Sequence, residues 1–176
     1  MNKKRASSNL KSSPVGRDWA AGNEAKYLSY REAWARIRLA RKHKYFLEAV
    51  TIEESIISDR LLSYLEKYRK LVLKKGTRDN LNQVIERWHS EALDIYKGDV
   101  DAVADLTYLH TRLVAWRDSR NEIVHGIVKS KGLRLDDHIC NFLAAAKKSA
   151  KKGDKIARQI CQWVKKQKAL NTGETG

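Results

Sequence analysis

Arg120, Asn121 and His125 are the residues of this chain whose types and spacing can do chemistry. Ahead of them Leu106, Leu109, Leu113 and Trp116 recur at steps of three and four, and the series resumes at Ile123 and Ile127. That is the pattern of one core-facing helical stripe. Arg120 stands where the missing apolar step belongs. A guanidinium there needs a partner charge, a wet cleft or an anionic ligand, because burying it alone is prohibitive. At about 100° per residue, Arg117, Asn121 and His125 fall at i, i+4 and i+8, a ridge along one edge of the stripe that Arg120 can reach across. Gly126 lets the helix end or bend just after the imidazole. Asn121 is placed one turn before His125 to hydrogen-bond it and fix its tautomer. Such a set suits phosphoryl transfer without a metal, in which histidine moves a proton and arginine neutralises charge growing on a phosphate. Arg117 is then a candidate contact to a substrate phosphate.

Each residue also has a plainer reading. Arg120 could be a structural cation paired with a neighbouring helix, where Glu53 interrupts the apolar series Phe46, Val50 and Ile57, and the sequence leaves open whether Glu53 or Glu54 faces it. His125 could cap a helix C-terminus, which favours a cationic imidazole. His110, two turns before Arg117 on the same side, reads as a satisfied structural residue.

The elements that must position these side chains are helical throughout. Periodicity predicts helices over about 24–42, with Tyr27, Trp34 and Ile37 on one side, and over about 45–74, stopped by Gly76. A third spans about 78–95 with Leu81, Val84, Ile85 and Trp88, followed by a Lys97-Gly98-Asp99 turn in which Asp99 is an N-cap candidate. The motif helix runs over about 100–126. A last helical region covers about 136–169, with Gly153 as a kink or break. No internal repeat and no period-2 strand is apparent. The expected fold is an all-α antiparallel helical bundle, a four-helix core plus an additional helix. Residues 1–17 hold five Lys/Arg, no acid and a serine cluster, and read as a disordered basic arm. Residues 18–169 form a single domain and 170–176 a flexible tail.

A chain of 176 residues can bury roughly 70% of its unfolded surface, ample for one core. Cys140 and Cys161, with no partner motif, suit a reducing cytoplasm rather than a disulfide framework. No apolar run approaches a membrane span and the N-terminus lacks a signal core, so a cytoplasmic protein without a membrane partner is expected. There is no Walker loop, dinucleotide fingerprint, His-Glu-x-x-His or zinc-ligand spacing. No metal and no cofactor are expected, and no Ser-His-Asp or Cys-His arrangement can be argued from spacing. The formal net charge of +15 points to a polyanion partner. Residues 147–168 alone carry nine Lys/Arg against a single Asp, with Ile156, Ile160 and Trp163 on the buried side of that helix. Contacts of this kind hold phosphates without reading bases.

Arg-Asn-x-x-x-His followed by Gly, late in a long helix of an all-helical chain, resembles the Arg-x(4–6)-His motif of the HEPN superfamily. The resemblance covers about residues 25–168 and reaches individual residues only at Arg120, Asn121 and His125. In the toxin branch of that family that pairs with a nucleotidyltransferase antitoxin, a tyrosine follows two residues after the histidine; here that position is Ile127. The resemblance implies a HEPN-like bundle and a metal-independent endoribonuclease, a bacterial toxin or anti-phage defence protein. It implies a homodimer whose two motif helices line one basic cleft, with RNA as substrate and an antitoxin or regulatory protein as partner. It gives His125 the acid/base role and Arg120 the stabilisation of phosphate oxygens, with Asn121 orienting His125. The alternatives are a non-catalytic helical RNA-binding or dimerisation module, and a DNA-binding protein whose recognition helix the sequence does not identify.

Overall fold

Capping chemistry fixes two of the helix starts. Asp99 caps the motif helix, its Oδ1 accepting from the Ala102 amide at 3.0 Å, after a turn in which Gly98 takes φ +100°, a backbone open to glycine at little cost. Asn80 and Gln83 form a reciprocal capping box at the start of the preceding helix. The computed structural model describes residues 15–69, 80–126 and 135–172, and all its regular elements are helices. They are α1 Val15–Lys42, α2 Phe46–Tyr68, α3 Leu81–Ile95, α4 Val100–Gly126 and α5 Leu135–Thr172. The fold is an all-α bundle.

Side-chain pairs give the directions. Lys26, early in α1, meets Asp59 and Ser63, late in α2, so these helices run antiparallel. Arg112 and Trp116 of α4 bond Gln159 and Ser149 of α5, again antiparallel. Glu53 lies beside Gly153 and the Tyr64 ring meets that of Trp163 at 4.8 Å, so α2 and α5 run parallel, and this seam is the most extensive in the bundle. The C-termini of α1 and α4 and the N-termini of α2 and α5 therefore gather at one end.

The core holds Ile57, Leu61, Tyr64, Trp88, Leu113, Trp116, Ile156 and Ile160, each about fully buried. A large apolar side chain removed from water in this way contributes about 1.5–3 kcal/mol. Trp88 and Trp163 pack edge to face, 5.3 Å between centroids, an arrangement aromatic quadrupoles favour.

Three sequence expectations shift. α1 begins at Val15, within the stretch read as a basic arm; its inner face is Tyr30, Ala33, Trp34, Ile37 and Ala40, while Tyr27 is exposed. Gly153 does not break α5, which runs on to Thr172, because the missing side chain is used for packing. Gly76, the arm up to residue 14, Ile127 and the tail from 173 lie outside the described residues. Cys140 and Cys161 are both free. Among the described residues no helix is long and apolar enough to cross a membrane.

Candidate active site at the contact of α2 and α4

The stripe of α4 is seated as its spacing predicts, with Leu106, Leu109, Leu113, Trp116 and Ile123 all buried. That orientation turns Arg120 inward, towards α2. Its Nη2 forms an ion pair with the Glu54 carboxylate and its Nη1 donates to Asn121 Oδ1 at 2.9 Å. Its Nε is buried and meets no hydrogen-bond partner among the described residues. Arg120 and Glu54 are each only 21% exposed. A charge-assisted contact there is stronger than a surface pair and holds the planar fork in one orientation. The guanidinium is thus positioned, largely desolvated, and its Nε–H has no partner among the described residues.

Asn121 is engaged by the guanidinium beside it, its oxygen accepting a hydrogen bond from Arg120 Nη1. His125 is exposed on the last turn of α4. Arg117 is turned to its neighbour: Nε and Nη2 both reach Asp118 Oδ1, at 3.0 and 2.7 Å. The structure therefore brings Arg120 and Asn121 together, places His125 five residues along the same helix, and leaves Arg117 in a contact of its own.

The partner of Arg120 is Glu54, and Glu53 has a different place. Glu53 is fully buried against α5, with neither carboxyl oxygen hydrogen-bonded among the described residues. A Cβ at Gly153 would stand 2.1 Å from its Oε2 and 2.8 Å from Trp116 Nε1. Glycine at 153 is what makes room for the carboxyl group. Burial, reinforced by the charge of Asp154 and opposed by Arg41, pushes the Glu53 carboxyl up to about 9. At neutral pH it is uncharged. Trp116, between the two seams, donates its indole N–H to the Ser149 carbonyl at 3.2 Å.

His110 lies apart from this site. Its ring stacks on His89 at 3.8 Å between centroids and its Nε2 is 3.3 Å from Glu86, a structural contact between α3 and α4. Burial and the adjacent His110 lower the affinity of His89 for a proton. Among the described residues no group of three or more His, Cys, Asp or Glu side chains gathers to hold a metal ion.

The sequence reading missed a basic cavity of about 780 Å³ where α1, α2 and α5 meet, lined by Arg38, Arg41, Lys42, Lys44, Lys147 and Lys151. Two signals pointed to it, the lysines of α5 and a run of Arg and Lys over 38–44, but neither revealed that they face each other. Compared with known proteins, the chain matches no family model, no curated protein and no solved structure.

Proposed function

We propose that this chain is a metal-independent endoribonuclease of the HEPN type, acting as a symmetric dimer in which two copies of α4 flank one cleft. The observation that carries the reading is an exposed His125 five residues beyond an arginine that Glu54 and Asn121 hold in a fixed orientation. The net charge of +15 supports a polyanionic substrate.

In the reaction, His125 takes the proton of a ribose 2′-hydroxyl as its oxygen bonds to the adjacent phosphorus. The bond from phosphorus to the 5′-oxygen breaks, and a histidinium returns a proton to that leaving oxygen. Arg120 stabilises the charge on the phosphorane oxygens. The products are a 2′,3′-cyclic phosphate and a free 5′-hydroxyl. The biological role that goes with this reading is a toxin or anti-phage effector, held in check by an antitoxin or regulatory protein.

A second reading, a non-catalytic RNA-binding or dimerisation module, is favoured by one observation. Glu54 already satisfies much of the charge on Arg120, as a purely structural pair would. Incubating the purified protein with RNA in EDTA separates the two. Cleavage leaving cyclic phosphate ends is expected, reduced about 10²–10⁴-fold in His125→Ala and about 10²–10³-fold in Arg120→Ala, with both variants folded by circular dichroism. Arg120→Lys should fail as well, since an ammonium cannot reproduce the planar fork. Binding without cleavage by the parent protein would establish the module instead.

A further inference from the structure

We infer that the cavity between α1, α2 and α5 is a second nucleic-acid site, a seat for the phosphates of single-stranded RNA separate from the Arg120 and His125 ridge. The inference rests on the RNA reading above. The cavity carries six cations and no acidic residue in its lining. Its apolar floor is Phe46, Leu143 and Ala144, with Leu143 44% exposed. Two carboxylates stand near it: Asp154 is shared between Arg41, at 3.4 Å, and Arg158, at 3.1 Å, and Glu48 lines the adjoining hollow beside Lys44 and Phe46, so six lining cations outnumber the acids around them. Its volume falls within the range of small-ligand sites. Phosphates on cations with bases laid on an apolar floor is how unpaired strands are held; a duplex would keep its bases away from Phe46 and Leu143.

The loop that joins α1 to α2 adds an independent observation. Tyr45 N–H bonds the Ala40 carbonyl at 2.8 Å and Lys44 N–H the Arg41 carbonyl at 3.3 Å, the double bond of a helix end that favours glycine at the residue in left-handed conformation. That residue is Lys44, at φ 64°. A strained backbone is kept here for a side chain that lines the cavity, the pattern in which strain marks a binding site. Beside it α2 starts at Phe46 with no side-chain cap on its N-terminus, and Glu48 in that first turn offsets part of the positive helix end. Lys148, Lys152 and Lys155 continue the cations along the exposed side of α5. Phe46 and Glu54 are eight residues apart on one helix, about 12 Å at 1.5 Å per residue, so one strand of a few nucleotides can span the seat and the ridge.

The test is fluorescence anisotropy of the full chain with a labelled single-stranded RNA 20-mer, across a salt series. Lys147→Glu/Lys151→Glu should weaken binding at least tenfold and flatten the dependence of log affinity on log salt, because fewer counterions are released. Lys165→Glu/Lys166→Glu, the same charge change further along α5, should weaken it much less. Equal losses in the two pairs would overturn the seat in favour of diffuse attraction. Lys44→Gly should raise the melting temperature while lowering affinity; a higher melting temperature with unchanged affinity would also count against it. Phosphatidylserine vesicles bound through the same lysines, with RNA binding unaffected, would reassign the cavity to a membrane surface. Cleavage that persists with unaltered affinity in the first pair would sink the seat and spare the nuclease. Binding lost in that pair, from a parent that never cleaves, would do the reverse.

Discussion

Two adjacent glutamates of α2 end in opposite electrostatic states. Glu54 faces α4 at the rim of the core, keeps partial contact with water and is ion-paired with Arg120. Glu53, about 100° further round the helix, enters the seam with α5, where the carboxyl is fully buried and protonated. The difference lies in what surrounds each carboxyl: at the rim Glu54 meets a guanidinium, whereas around Glu53 the opposing charge of Arg41 does not offset full desolvation. One glutamate serves a candidate site and the other serves packing.

The sharpest way to break this comparison is to remove the space that Glu53 occupies. Gly153→Ala places a methyl against Oε2 and the Trp116 ring nitrogen, and a loss of about 1–3 kcal/mol or more is expected in chemical denaturation; an unchanged midpoint would mean that the seam is loose. Glu53→Gln probes the charge. Because the folded carboxyl titrates near 9, above its ordinary 4.5, the folded state holds a proton between those values that the unfolded chain has released. Stability from this group is therefore complete below about 4.5 and falls as pH rises, by up to about 1.4 kcal/mol per unit. Melting temperatures of Glu53→Gln and the parent should diverge steadily from pH 5 to pH 9, with the variant ahead at the alkaline end. At the rim, Glu54→Gln should lower stability by about 1–3 kcal/mol, the cost of leaving a mostly buried charged group with a weaker partner. If Glu54 positions Arg120 for catalysis, the same change should slow RNA cleavage about tenfold to a hundredfold without weakening RNA binding. The smallest effect is expected for Arg117→Ala. With its guanidinium committed to Asp118, stability should move by less than about 0.5 kcal/mol and RNA affinity should hold; a tenfold loss would restore Arg117 to the substrate path.

What was legible in the sequence was what depends on local periodicity. The steps of three and four from Leu106 to Ile123 placed α4, its buried face and the anomaly at Arg120, and Asp99 marked its first turn. The choice between Glu53 and Glu54 was not legible, because both neighbour the same apolar series and only the crossing of α2 with α4 and α5 decides which faces a cation. Gly153 misled for a related reason. A glycine in a helix reads as a weakness, and its use as a space for a side chain 100 positions earlier is visible only once the two helices are side by side. The end of α1 hid its lysine at 44 likewise, since a left-handed C-terminal residue is ordinarily announced by glycine.

The parallel seam of α2 and α5 has a consequence for how the chain is made. Its contacts, Glu53 with Gly153 and Tyr64 with Trp163, join residues about a hundred positions apart, whereas α3 and α4 meet across a short turn. Local hairpins close quickly and distant pairings late. During synthesis the part of α2 that faces α5 must wait, uncovered, until α5 has left the ribosome, and this interval is when the nascent chain is open to aggregation and to chaperones. Pulse-labelled hydrogen exchange during refolding should accordingly protect the local pairs α1 with α2 and α3 with α4 before α5; simultaneous protection of all the helices would show that the distant seam forms with the first collapse.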